Sequence, residues 1–203
     1  MKTTRWTLWL AAFVAQLAIS LTALGQAQNP EDLVKSTSDE VLGVIRQTHD
    51  RQKLQQLAQE KVVPHFDFER MTQLAMGRAW RQATPDQQHQ LEEQFRELLV
   101  RTYTNAMAAG THGNAKIRFK PSHGAANAQE TVVRTEAIEP GRAPVAIDYA
   151  MEKKPDGWKV YDVMVDSVSL VTNYRGQFES TVSQSGIDGL IHSLSQKNKG
   201  QAG

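Results

Sequence analysis

The chain has 203 residues, with 23 Lys and Arg against 22 Asp and Glu, a formal net charge of +1 and a hydrophobic fraction of 40%. That length holds one globular domain or two small ones and excludes a large multidomain enzyme. A near-neutral balance without a long basic run lacks the electrostatic footprint of duplex binding, so no nucleic acid is expected as a partner. The lack of Cys removes thiol nucleophiles, disulfides, iron–sulfur clusters and Cys-type zinc sites.

At the N-terminus Lys2 and Arg5 precede an uncharged stretch from Trp6 to Pro30. Small residues follow at Ala23-Leu24-Gly25 and Gly25-Gln26-Ala27, the pattern of a secretory signal cleaved after Gly25 or Ala27. The competing reading is an uncleaved anchor, because Leu8 to Leu24 approaches a bilayer-spanning length; Gln16, Ser20 and Thr22 interrupt it. Losing Lys2 and Arg5 from the 23 basic residues leaves 21 against 22 acidic ones, a mature charge of −1. The expected division is a signal peptide over 1–27, one domain over 28–196 and a frayed tail over 197–203.

In the mature chain, Leu33, Val34, Val41, Val44 and Ile45 recur at helical spacing behind acidic Glu31 and Asp32, predicting a helix from Pro30 to about Thr48. A second runs from about Asp50 to Val63, where Pro64 ends or bends it. Phe66 to Met76 predicts a short amphipathic helix with Gly77 at its exit, followed by a helical turn through Trp80. Thr84-Pro85-Asp86-Gln87 combines an N-cap hydroxyl, a proline at the first helical position and a capping-box Gln. The long helix it starts carries Leu91, Phe95, Leu98, Leu99, Thr102, Tyr103, Ala106 and Met107 on one stripe and closes at Gly110 and Gly113.

The period then changes to two. Ile117 and Phe119 alternate, Glu130 to Ile138 is rich in Thr and Val, Pro140-Gly141 marks a turn, and Val145, Ile147, Tyr149 and Met151 alternate with Ala146, Asp148 and Ala150. Pro155-Asp156-Gly157 turns the chain into Trp158 to Val165. Four sequential strands with short connections predict an antiparallel meander. Helix returns from about Leu170 to Ser183 and from Ile187 to about Gln196. The fold class expected is α+β, with N-terminal helices, a twisted four-stranded meander and closing C-terminal helices.

Motifs with a defined mechanism are absent: no Gly-x-Ser-x-Gly elbow, His-Glu-x-x-His helix, phosphate loop or dinucleotide fingerprint occurs. The six histidines show no recognised ligand spacing, so neither a metal nor a cofactor is expected. Asp162 and Asp166 bracket one strand and could form an acid–base pair; acceptance of backbone or Arg hydrogen bonds is the preferred reading.

Two blocks go beyond patterning. The first is Leu74-Ala-Met-Gly-Arg-Ala-Trp80-Arg-Gln-Ala-Thr-Pro-Asp-Gln with Phe95-Arg-Glu-Leu-Leu and Tyr103. The second is Val160-Tyr-Asp-Val-Met-Val-Asp-Ser-Val-Ser-Leu170-Val-Thr-Asn-Tyr-Arg175-Gly-Gln-Phe178 with Gly186-Ile-Asp-Gly-Leu-Ile. Together they resemble the MlaC family, also called toluene-tolerance proteins, over roughly Pro30 to Gln196. The family usually carries a glycine just before the Val-Ser of the second block; here that place is Ser167.

The resemblance implies a non-enzymatic periplasmic carrier, exported through a cleaved signal peptide, that shuttles phospholipid between an inner-membrane ABC transporter complex with its lipid-binding ring and an outer-membrane lipoprotein complex. It implies an apolar pocket for the acyl chains. Carried onto this sequence, the candidate lining is Tyr103 and Met107 from the long helix, Val145, Ile147, Tyr149, Val160 and Met164 from the strands, and Val168, Leu170, Tyr174 and Phe178 from the C-terminal block. Strict alternation puts Met164 with Val160 and Asp162, and leaves Tyr161 and Val163 on the opposite face. Arg175 is the candidate headgroup contact, with pairing to Asp162 or Asp166 as its structural alternative. Three other functions stay open: a carrier of another apolar lipid such as a hopanoid or quinone, a small-molecule isomerase or hydrolase using Asp162 or Asp166 as base, and an adaptor with a filled core.

Overall fold

A computed structural model describes residues 29–109, 114–121 and 128–200. The expected signal peptide over 1–27, Gly110 and Gly113 expected to close the long helix, and His112 and His123 lie outside the described residues.

Helix α1 (Pro30–Ile45) starts where the Asn29 side chain accepts the Glu31 N–H at 3.1 Å, with Pro30 at the first position. Helix α2 (Arg51–Leu57) is capped by Asp50, which accepts the Lys53 N–H at 3.0 Å. It passes into a π-helical turn over Ala58–Val62 and a 3-10 turn over Val63–His65, so the predicted helix widens before Pro64 interrupts its ladder. Helix α3 (Phe68–Met76) is capped by Asp67 through the Arg70 N–H at 2.8 Å. It stops at Gly77, whose φ of 55° falls in the region glycine enters at least cost. A 3-10 turn over Gly77–Gln82 buries Trp80. Helix α4 (Pro85–Ala109) opens with a reciprocal capping box: Thr84 N–H donates to Gln87 Oε1 at 3.0 Å and Gln87 N–H to Thr84 Oγ1 at 3.2 Å.

The strands β1 (Lys116–Phe119), β2 (Glu130–Ile138), β3 (Val145–Lys154), β4 (Gly157–Val165) and β5 (Val168–Ser169) form one antiparallel sheet in chain order. Among the described residues the meander thus has five strands, one more than the four predicted. The fifth is only two residues long, and the Asp166-Ser167 connection that creates it lacks the Asn-Gly signature of a tight hairpin. Both residues nonetheless take positive φ, 48° and 68°, as a two-residue turn between right-twisted strands requires.

One irregularity decides which side chains face the helices. Ala150 pairs with Asp162 but Met151 pairs with Val160, so Tyr161 is an extra residue on β4. Such a bulge moves every later residue of its strand to the other face.

Helix α5 (Leu170–Gly200) closes the fold, kinked at Gly186 where φ is 72°. It runs four residues beyond the Gln196 boundary, and Lys197 to Gly200 are helical, not frayed; positions 201–203 lie outside the described residues. Asn198 is 3% exposed, and its amide donates to both the backbone and side-chain oxygens of Gln94 at 3.0 Å.

Among the described residues, most of the large buried side chains fall into two clusters. Helices α3, α4 and α5 pack Met71, Met76, Leu91, Phe95, Phe178, Leu190 and Leu194 together, with the Phe95 ring edge-on to both Tyr174 and Phe178. The second cluster joins Leu33 and Val34 of α1 to Val133, Met151, Val160 and Val163 of the sheet.

Candidate functional site

Between the inner face of the sheet and the helices α1, α2 and α4 the packing is incomplete. A cavity of about 540 Å³ runs there. Gaps in an ordinary core hardly exceed a water molecule, whereas ligand sites occupy roughly 300–1,000 Å³. The void also explains why Val145, Ile147, Tyr149 and Val165 are only half-buried although they face the helices.

The walls are aliphatic and aromatic. Helix α1 contributes Leu33, Val34, Val41, Leu42 and Ile45; α2 and its continuation contribute Leu54, Leu57, Ala58 and Val62; α4 contributes Leu99, Val100, Tyr103, Ala106 and Met107. The floor is the alternating set Val145, Ile147, Tyr149 and Met151, flanked by Ile117 and Ala137 on one side and Val160, Val163 and Val165 on the other. From Val145 to Met151 the floor spans six residue steps, about 20 Å. One leaflet's hydrocarbon is about 15 Å deep, half of the roughly 30 Å bilayer core. The slot is therefore long enough for a straight chain of that length.

Its two ends differ. At the inner end Phe66, Phe68, Met71, Met151 and Val160 close the slot, and Phe68, Met71, Met151 and Val160 are buried. At the other end lie Ala106, Glu139, Arg142 and Ala143, of which Ala106, Arg142 and Ala143 are exposed. That end is the mouth.

Polar groups in the lining are few. Tyr149 bonds through its hydroxyl to Ser38 of α1 and Thr135 of β2, and burial raises its pKa although these bonds partly oppose it. Burial, with the neighbouring Tyr174, pushes the Tyr103 phenol up to about 12, so it stays a neutral, amphipathic wall. His65 is held below its ordinary value, first by burial and then by Lys159, with Glu40 opposing.

Of the residues singled out in the sequence, Tyr103, Met107, Val145, Ile147, Tyr149, Val160 and Leu170 stand in the cavity wall. Met164, Val168, Tyr174, Phe178 and Arg175 do not. Met164 is displaced to the outer face by the Tyr161 bulge, which brings Val163 and Val165 inward in its place. Val168 belongs to the edge strand and is 58% exposed. Tyr174 and Phe178 belong to the helical cluster around Phe95. Arg175 pairs with neither Asp162 nor Asp166: its Nε and Nη2 donate to the Leu74 carbonyl at 3.0 and 2.6 Å, tying α5 to α3.

The two aspartates also leave the cavity. Asp162 accepts from Ser169 Oγ at 2.5 Å and from the Val171 N–H at 3.3 Å, capping α5, while Asp166 accepts the Ala146 N–H at 3.0 Å. What sequence reading missed is the contribution of α1 and α2, whose apolar stripes read as ordinary core, and the charged pair Glu139 and Arg142 at the mouth. The Pro140-Gly141 signal marked that turn but not its position on a cavity.

An α+β fold whose sheet and helices enclose a long, apolar, one-ended slot defines a binding protein for elongated apolar ligands. The family model "MlaC protein" matches residues 35–196. The chain belongs to the MlaC family. It is 26% identical over 168 residues to the toluene tolerance protein ttg2D of Pseudomonas putida, covering 80% of this chain and 77% of that one. It is 21% identical to the intermembrane phospholipid transport system binding protein MlaC of Haemophilus influenzae, covering 95% and 92%. Among solved structures, the phospholipid-binding protein from Ralstonia solanacearum, in complex with a phospholipid, is 40% identical and superposes with a TM-score of 0.76 over 87% of this chain and 99% of that one.

Proposed function

We propose that this protein is a periplasmic phospholipid carrier that holds acyl chains in the slot between sheet and helices and leaves the headgroup at the mouth. The observation that carries this reading is the slot itself: about 540 Å³, lined by aliphatic and aromatic side chains, closed at Met151 and open at Arg142. The likeness to a phospholipid-bound structure at 40% identity supports phospholipid over a hopanoid or quinone as the cargo. The cavity itself argues against a filled-core adaptor.

The energetics suit carriage. Burying a methylene stabilises by about 0.8 kcal/mol relative to water, so two chains of about sixteen carbons gain more than roughly 20 kcal/mol. A bilayer offers the same lipid a similar hydrocarbon environment, so the net exchange lies near zero and docking on a partner can tip it either way. The partners in this reading are an inner-membrane ABC transporter complex with its lipid-binding ring and an outer-membrane lipoprotein complex. A cleaved signal over 1–27 delivers the chain to the compartment between them.

The test is transfer of phospholipid from donor to acceptor vesicles separated by a membrane permeable to the protein alone. A carrier raises the transfer rate in proportion to its concentration. No acceleration, with the protein folded and monodisperse, contradicts the reading.

A further inference from the structure

The mouth of the slot is formed by the connection between β2 and β3. Ala137 and Val145, the last paired residues of that hairpin, both line the cavity, so the intervening turn sits directly over its open end. The turn is closed by the Arg142 N–H donating to the Glu139 carbonyl at 3.2 Å, with Gly141 at φ 79°. Side chains within it add an ion pair, Arg142 Nη1 to Glu139 Oε2 at 3.2 Å, and both residues belong to the lining. Arg142 brings the only guanidinium to that lining among the described residues.

The two members of the pair differ in exposure. The Glu139 side chain is 14% exposed and that of Arg142 61%. The carboxylate is held against the rim, while the guanidinium is largely hydrated and can turn to another oxyanion without the desolvation a buried arginine would suffer. A guanidinium presents a planar fork of donors that fits two oxygens of one anion, and a phosphodiester supplies such a pair.

We propose that Arg142 anchors the phosphate of the bound lipid at the mouth, and that Glu139 is the counter-ion it exchanges for that phosphate on loading. The inference rests on the carrier reading and specifies the ligand chemistry of its open end. It also transfers the headgroup role from Arg175, which is committed to the Leu74 carbonyl. The exchange of one oxyanion for another on an exposed arginine gives moderate retention and no trap, in keeping with a cargo that must leave.

The test compares release of two preloaded lipids with identical chains, phosphatidylglycerol and the phosphate-free diacylglycerol, from the full mature protein into excess vesicles. Arg142→Gln is expected to release phosphatidylglycerol about five- to tenfold faster, the scale of a partly solvated charge-assisted bond, and to leave diacylglycerol release unchanged. Arg142→Lys restores part of the retention, and Glu139→Gln, which removes the competing carboxylate, slows phosphatidylglycerol release. Millimolar inorganic phosphate leaves these rates as they were, since the buried chains hold the headgroup at high local concentration.

Equal acceleration of both lipids by Arg142→Gln, or of neither, overturns the anchoring role while leaving the carrier reading intact. Acceleration of phosphatidylglycerol release by inorganic phosphate to the Arg142→Gln rate would assign the arginine to free phosphate instead. If the unsubstituted protein loads neither lipid, the carrier reading itself is wrong and the inference goes with it. The Arg142 side chain is 61% exposed and the backbone bond of the turn does not use it, so circular dichroism and melting of the two Arg142 variants should match the parent.

Discussion

The guanidinium carbon of Arg70 lies 3.6 Å from the centroid of the Tyr161 ring, and Tyr161 is the residue that β4 carries without a partner on β3. Arg70 is fixed from both sides: Nη1 bonds Glu152 at 2.6 Å and Nη2 bonds Glu130 at 2.8 Å, while the Tyr161 hydroxyl reaches Glu130 at 3.3 Å. The bulge side chain is thereby held on the outer face, which turns Val163 and Val165 inward. A double-mutant cycle of Arg70→Met and Tyr161→Leu, read by urea denaturation, should give a coupling of about 1 kcal/mol. A coupling near zero would mean that the stacking does not hold the bulge.

The bulge also makes a prediction about binding. Val163→Trp puts an indole into the slot, whereas Met164→Trp puts the same group on the outer face of the sheet. Purified without detergent, the Val163→Trp protein should carry at least tenfold less extractable phospholipid than the parent, and Met164→Trp about as much as the parent. Equal loss in both would contradict the register at Tyr161.

Ser167 occupies positive φ, at 68°, without the freedom of glycine. Ser167→Gly removes that strain at some cost in unfolded-chain entropy, and should stabilise the protein by about 0.5–1 kcal/mol in denaturant titration. The residue before it, Asp166, is also at positive φ but accepts the Ala146 N–H, so Asp166→Gly should gain less or lose stability.

Asp67 supplies the pH dependence. Burial pushes its pKa up, but the Arg70 N–H at the helix cap, the Lys154 ammonium at 2.7 Å and a hydrogen bond with Glu152 outweigh it, and the net shift is downward. A depressed carboxylate stabilises fully above its unfolded value of 3.8 and loses that contribution as the pH falls through the folded value. Asp67→Asn should therefore be less stable than the parent at pH 7 by about 1–2 kcal/mol. The gap should narrow as the pH drops below 3.8. A gap that is constant with pH would contradict a carboxylate held below its ordinary value.

Much of this architecture was legible in the sequence because the signals were local. Thr84 and Gln87 announce the start of α4 within four residues, and the alternation Val145, Ile147, Tyr149 gives the floor of the slot because a strand needs only its own period to assign a face. The register of β4 is different in kind. Nothing within Val160 to Val165 reveals that Tyr161 will be passed over, since that depends on Arg70 approaching from another element, and one extra residue exchanged Met164 for Val163. Arg175 is a similar case: its partner, the Leu74 carbonyl, lies 101 residues away and carries no side-chain signature. Asn198 sits in a polar tail with no core pattern, yet its amide finds Gln94. The helical stripe of α1 was visible, but an apolar stripe packed on a core and one facing a void look identical until the fold shows how much space lies between them.

The central claim is that the slot is filled by phospholipid. Native mass spectrometry of the protein, purified without detergent and followed by extraction of the bound mass, tests it most directly. The account predicts a stoichiometric adduct whose fragments are those of a phospholipid, lost in Val163→Trp. A folded protein that flies empty, even after incubation with phospholipid vesicles, would contradict it.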